Sequence, residues 1–451
     1  MTELHFTKAL TPDGWKRDVR VSVEAGRIAS VTPALPPGEG DERHAIGVPG
    51  MGNLHSHAFQ RGMAGLAEFR GAEADTFWTW RETMYRFALS MSPDDVEAVA
   101  AQLYVEMLEA GFARVGEFHY LHHDQDGRQY ADIAEMVGRI AAAASETGIG
   151  LTLLPVFYAH STFGGAPPTP GQRRFISSLD QFEHLLDETR KVAAGLDGAN
   201  VGVAPHSLRA VVPDELEAVT AMAGKGPIHI HVAEQVKEVE DCQAWSGARP
   251  VEWLLGHADV DERWCLIHAT HMTDNETRRL AASGATAGLC PVTEANLGDG
   301  VFNGPLFLQA GGRFGIGSDS NIRIGVADEL CQLEYAQRLR DRARNVMATG
   351  GGSTGRALFG AAISGGAAAL GVGPAGLVAG AVADIVSLRA DHPALLGRDG
   401  DALLDSWIFA GSGDVVDCVW ARGAKRVADG RHHRRDAVRA RFRAAMERLV
   451  A

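Results

Sequence analysis

Cysteine is scarce and scattered: the chain of 451 residues holds five, Cys242, Cys265, Cys290, Cys331 and Cys418, with no CxxC pair. An odd, dispersed set argues against a disulfide framework or a thiolate zinc site. Basic charge is short as well. Lys and Arg number 43 against 57 Asp and Glu, a net charge of −14 with histidine neutral. A nucleic-acid binder would show a basic surplus or a basic face. No stretch approaches the roughly 18 consecutive apolar residues that a membrane helix needs. The N-terminus, MTELHFTKAL, lacks the basic-then-apolar pattern of a secretion signal. The expectation is a cytoplasmic protein that engages neither nucleic acid nor membrane. The glycine-rich TGGGSTG (349–355) has no lysine and so is no phosphate loop; it reads as a connection between helices. The basic tail HHRRDAVRARFRAAMERL (432–449) reads as a solvated helix face.

What is present is an ordinary globular composition, 45% hydrophobic and 22% charged. The length excludes one compact domain of modal size, but an α/β barrel with an accessory layer fits. Residues 18–31, DVRVSVEAGRIASV, alternate apolar and polar and turn at Ala25-Gly26, the pattern of a two-stranded ribbon. VAGAVADIVSLRA (378–390) and VVDCVWARGAKRVADG (415–430) repeat it near the other end. These termini predict one small β-sandwich domain, 1–47 plus 372–430, followed by a C-terminal helix over 431–451.

The middle, 48–371, alternates strand-like runs with helical stretches such as SPDDVEAVAAQLYVEMLEAG (92–111) and QFEHLLDETRKVAAGL (181–196). Eight such repeats predict an α/β fold, a (β/α)8 TIM-like barrel. Each strand begins apolar and finishes in a polar or ionisable residue. Barrel enzymes place their chemistry at those C-terminal strand ends.

His55-Ser56-His57 ends the first strand. Residues i and i+2 point the same way, so both imidazoles can reach one metal. An HxH triplet alone also fits two hydrogen-bonded histidines, although the glycine-rich approach MGNLHSH favours a ligand pair. His231, at the end of the fifth strand, would be a third nitrogen ligand and leave a position open for water or substrate. Glu234 lies three residues on and would face that water without ligating, unless it is only a helix-start carboxylate. His229 reads as a core histidine. His268 ends the sixth strand as a site residue, with His271 structural or supporting. Asp319 ends the eighth strand, where it can bind a metal and accept a proton. One Zn2+ per subunit fits this set best, with Fe2+ or Mn2+ left open by ligand type. The fourth strand, NVGVAPHSL, contains no lysine to make a bridging carbamate, which favours a single metal.

HSH after strand one, HVAE after strand five, histidine after strand six and SD after strand eight together resemble the amidohydrolase superfamily, and within it the aminohydrolase branch. The strands at the termini, VADIV included, are similar to that superfamily's small β-sandwich. The resemblance implies zinc on His55, His57, His231 and Asp319, with Glu234, His268 and Asp319 catalytic. It further implies a homodimer. HSHAFQR (55–61), TFWTWRETMY (76–85), EFHYLHH (117–123), APHSLRAV (204–211) and CPVTEANLGDG (290–300) resemble more narrowly those members that deiminate a small dianionic amidine. That similarity implies substrate contacts from Gln60, Arg81, Tyr120, His206 and Arg209. A net-acidic protein must supply local cations to such a substrate, and arginine pairs bidentately with carboxylate. The rival expectations are an aminohydrolase or chlorohydrolase acting on a guanine, adenosine-type or triazine ring, and a metal-free binding module on the same fold. The first would favour aromatic stacking over two arginines; the second would have lost histidine ligands.

Overall fold

The computed structural model describes residues 2–70 and 76–450. Eight parallel strands follow one another along the middle of the chain. They are Met51–Ser56, Phe112–His119, Gly150–Phe157, a fourth strand in two pieces (Asn200–Val201 and Ala204–Pro205), Ile228–Val232, Trp264–His268, Thr286–Leu289 and Arg313–Ile316. Strands one to four and five to eight pair in sequence order as two runs. Parallel bridges Val203↔Ile228 and Ser207↔His231 join four to five, and Ser56↔Asp319 joins eight to one. The result is a closed barrel, as the alternating pattern predicts.

The fourth strand departs from its expected continuous run over 200–208. Pro205 has no N–H to give a ladder. Gly202 lies so close to the fifth strand that a Cβ there would sit 2.3 Å from the Pro227 carbonyl oxygen. The backbone therefore pairs in two short pieces. Elsewhere the local signals hold. Helix Pro93–Glu109 starts on Ser92, whose Oγ accepts from Asp95 N–H at 3.2 Å while Asp95 accepts from Ser92 N–H at 3.0 Å. That reciprocal cap, with proline in the first turn, satisfies donors that a helix start would otherwise orphan.

Both termini contribute to a single eight-stranded sheet. Thr2–Thr11, Gly14–Glu24, Arg27–Thr32 and Glu42–Pro49 come from the N-terminal side. Ile385–Leu388, Val416–Ala421, Ala424–Ala428 and Arg431–His432 come from the C-terminal side. Glu42–Pro49 pairs antiparallel with Ile385–Leu388 to join the halves. The hairpin predicted at Ala25-Gly26 is a two-residue connection with both φ angles positive, 47° and 76°. Beyond it Arg27 bridges Val382, so the sheet curls back over a core that includes Phe6, Val21, Ile385 and Trp420.

The basic tail does more than face solvent. Helix Arg435–Leu449 buries Val438 and Ala445. Its arginines pair with acids from elsewhere in the chain: Arg448 with Asp95, Arg441 with Glu146, Arg435 with Glu109. Among the described residues no helix is long and apolar enough to cross a membrane.

Leu54, from strand one, fills the barrel interior with Cys265, Ile267 and Leu370. Gly315 makes room for it; a Cβ there would lie 2.5 Å from Leu54 Cδ2. Leu54→Ala should therefore cost about 2–5 kcal/mol. A lowered denaturant midpoint with unchanged slope is the expected result.

Candidate active site

The C-terminal rim of the barrel gathers the predicted ligands. Asp319 N–H donates to the His55 carbonyl at 3.0 Å, and His57 N–H donates to the Asp319 carbonyl at 3.0 Å. The seam between strands eight and one thus holds three of the four side chains together. His231 arrives from strand five across the barrel. One donor atom from each of His55, His57, His231 and Asp319 lies within 4.8 Å of every other. Asp319 Oδ1 is 3.4 Å from His55 Nε2 and 3.3 Å from His57 Nε2, and the Nε2 atoms of His55 and His231 are 3.1 Å apart.

Carbonyl partners set the tautomers. His57 Nδ1 faces the Phe118 carbonyl at 2.9 Å and His231 Nδ1 faces that of His206 at 3.0 Å. A carbonyl only accepts, so each Nδ1 carries the proton and each Nε2 turns a lone pair inward. Burial, with the neighbouring imidazoles adding to it at His55 and His231, holds all three histidines below the usual histidine range. Neutral imidazoles and a carboxylate, dry and aimed at one point, are a donor set that fits zinc or a related divalent ion.

Around this cluster sit the predicted acid–base groups. His268 Nε2 lies 3.7 Å from both Glu234 Oε1 and Asp319 Oδ2. Its Nδ1 lies 3.2 Å from Glu294 Oε1. Burial alone would depress His268, but these three carboxylates outweigh it and favour the imidazolium. Burial pushes Glu234 above the usual carboxylate range, against the pull of His268 and Arg209. Three site turns adopt left-handed backbone at residues other than glycine: Ala233 at φ 52°, His268 at 67° and Asp319 at 47°. Strain of this kind persists where the surroundings over-determine it. At Ala233 the Glu238 carboxylate does so, accepting N–H from Ala233 and Glu234 at 3.1 Å each.

The pocket over the cluster opens to solvent and spans about 550 Å³ with its open mouth included. Gln60, Arg81, Tyr120, His206 and Arg209 all line it, beside Glu234, His268 and Asp319. Gln60 Nε2 donates to Tyr120 Oη at 2.9 Å, which leaves the buried Gln60 Oε1 without a partner among the described residues. Arg209 is 6% exposed, and its Nε likewise lacks one. His229 and His271 stand outside the pocket as expected, on the carbonyls of Ala369 and Asp299. Sequence reasoning missed Glu294 beside His268 and Glu238 under the Ala233 turn, and the pocket's aromatic wall of Tyr85, Tyr158 and Phe175. Glu294 lies in CPVTEANLGDG after strand seven, so a carboxylate beside a barrel-strand end was the available signal. Nothing local marks the wall, whose residues come from three separate segments.

A closed barrel with a three-histidine, one-aspartate centre on its C-terminal rim defines a metal-dependent hydrolase architecture. The amidohydrolase family model matches residues 46–425, and the chain belongs to that family. The model for the N-terminal domain of formimidoylglutamate deiminase HutF matches residues 1–45. Formimidoylglutamate deiminase of Pseudomonas aeruginosa is 50% identical over 435 residues, 96% of each chain. The crystal structure of an amidohydrolase from Brucella melitensis is 60% identical, covers 100% of both chains and superposes with a TM-score of 0.98. Atrazine chlorohydrolase from Arthrobacter aurescens, complexed with zinc, is 20% identical. It superposes with a TM-score of 0.83 over 99% of this chain and 100% of its own, a likeness of fold alone.

Removing one of the predicted ligands should open the centre. His231→Ala and Asp319→Asn should each weaken zinc binding by about tenfold or more. Competition with a chromophoric chelator would read this directly; wild-type affinity in both variants would place the metal elsewhere.

Proposed function

We propose that this chain hydrolyses N-formimino-L-glutamate to N-formyl-L-glutamate and ammonia, a step of histidine degradation. It is a hydrolase of the amidohydrolase family, and the relative at 50% identity is a formimidoylglutamate deiminase. One observation carries the choice of substrate. Arg209 and Arg81 both line the pocket beside the buried ligand cluster, and neither makes an ion pair with a carboxylate among the described residues. Two cations that make no direct ion pair, although Glu238 and Glu234 support Arg209 from a distance, suit a substrate with two carboxylates. The aromatic wall would also suit a heterocyclic substrate, but it leaves the arginines without a task.

The residues divide the work by chemistry. His55, His57, His231 and Asp319 would hold one zinc ion, which when bound supplies a water acidified towards neutral pH. Asp319 accepts the proton of the attacking water as its oxygen bonds to the formimino carbon. His268 donates a hydrogen bond to that oxygen. Glu234, its carboxyl pushed up to about 7 by burial, delivers a proton to the imino nitrogen. The adduct's hydroxyl then returns a proton to Glu234 while the proton taken up by Asp319 passes to the amino nitrogen, so ammonia leaves as the formyl carbonyl forms and both carboxyl groups regain their starting states. Arg209 and Arg81 anchor the carboxylates, while Gln60, Tyr120 and His206 offer neutral hydrogen bonds along the chain between them. The proposal extends to a cytoplasmic homodimer. All five cysteines are free, and Phe69 and Leu339 expose apolar surface that a second copy would cover.

Zinc-loaded protein should release ammonia from N-formimino-L-glutamate and not from guanine, adenosine or a triazine; release only from a ring would sink the substrate. In the same assay Glu234→Gln should lower kcat by about two to four orders of magnitude. Arg209→Met should raise KM by about one to two orders of magnitude, the worth of a charge-assisted hydrogen bond.

A further inference from the structure

Arg81 and Arg209 come from distant parts of the chain, yet both meet one indole. Arg81 Cζ lies 4.4 Å from the Trp78 ring centroid, and Arg209 Cζ lies 5.9 Å from it. Arg81 also approaches the Tyr85 ring at 5.5 Å. Trp78, Arg81 and Tyr85 are spaced by three and four residues on helix Phe77–Ser90, so they share one face. Arg209 sits on the loop after strand four. Trp78 is therefore where the helix over the pocket and the barrel rim meet in the same cation–π contact. The ring is itself held, packed edge-on against buried Phe77 at 5.1 Å.

The electrostatics explain why such a device is useful. Two guanidiniums facing one cavity repel each other, and no carboxylate among the described residues pairs with either across it. An indole face attracts both cations without neutralising them. Their charges stay available to an incoming anion, while the side chains lose the freedom they would otherwise give up on binding. A carboxylate partner would orient an arginine equally well but would then compete with the substrate.

We propose that Trp78 is a positioning residue that sets Arg81 and Arg209 as one preformed two-cation clamp, and so selects a dianionic amidine over a monoanionic one. This deepens the deiminase reading and rests on it for the reaction, but binding to the clamp is measurable without turnover. Trp78 touches no reacting atom, and its contribution belongs to KM and to selectivity.

The test uses metal-loaded wild type, Trp78→Leu and Trp78→Phe. Calorimetry with the unreactive dianion glutarate and the monoanion butyrate reads the clamp directly. Trp78→Leu should weaken glutarate by about tenfold, equivalent to about 1.4 kcal/mol, and leave butyrate within about twofold, since one cation still serves it. Trp78→Phe, with a weaker aromatic face, should fall between the two. With N-formimino-L-glutamate, KM of Trp78→Leu should rise by about tenfold while kcat stays within about threefold, the signature of lost ground-state binding. Selectivity over N-formiminoglycine should fall in proportion. Equal loss for both anions, wild-type glutarate affinity in both variants, or a fall in kcat with KM unmoved would overturn the clamp. Should Trp78→Leu misfold, Trp78→Phe decides alone, because unchanged glutarate binding there is also fatal. If the wild type binds glutarate in a Trp78-dependent way but does not deiminate N-formimino-L-glutamate, the substrate falls and the clamp stands.

Discussion

The seam at which the eighth strand meets the first governs the site. Two backbone hydrogen bonds, Asp319 N–H to the His55 carbonyl and His57 N–H to the Asp319 carbonyl, close the barrel there. The same bonds bring a carboxylate from residue 319 against two imidazoles from residues 55 and 57. Closure and ligand convergence are one event. Neighbouring residues secure it: Asn53 Nδ2 donates to Ser318 Oγ at 2.6 Å, and Asn321 Nδ2 donates to the carbonyls of His57 and Asp319. Gly317 lets the strands approach, since a Cβ there would lie 2.8 Å from the His55 carbonyl oxygen.

That arrangement concentrates groups which are costly to bury apart. His55, His57, His231, Glu234, His268 and Asp319 are each at most 5% exposed. An unpaired charge in such surroundings is strongly disfavoured, so burial pushes the histidines at the centre down and Glu234 up. His268 differs because three carboxylates ring it. Within one pocket, then, burial and mutual charge push the three clustered histidines down and push Glu234 and His268 up, each direction set by its neighbours. On the far side the arginines face aromatic rings. The acidic half suits a cation and a developing ammonia; the cationic half suits carboxylates.

Much of this was legible in the sequence, and the reason is periodicity. Barrel strands put consecutive residues on opposite faces and end at a common rim, so HSH, HVAE, LIHATH and GIGSDSN announce side chains that meet. Capping signals such as Ser92 with Asp95, and the turn at Ala25-Gly26, are equally local. Less legible were features that depend on a partner far along the chain. The fourth strand breaks where Gly202 is pressed against Pro227, the residue just before the next strand. The tail helix is docked because Asp95, Glu109 and Glu146 happen to lie where its arginines arrive. Glu294 orients His268 from a segment whose composition says only that a helix starts near Pro291.

By itself the sequence determined the alternation of strand and helix, the residues that end each strand, and thus the kind of chemistry the rim can hold. These are properties of short windows, governed by backbone period, turn chemistry and side-chain type. Tertiary structure alone decided which nitrogen of His57 and of His231 faces the centre, since that choice rests on the accepting carbonyls of Phe118 and His206. It decided that Glu234 and His268 are both pushed upward, because burial and mutual charge act through space. It also decided that Arg81 and Arg209, 128 positions apart, both approach the ring of one tryptophan. Distances across a closed barrel follow from how all eight strands pack, and no local stretch of chain contains that information.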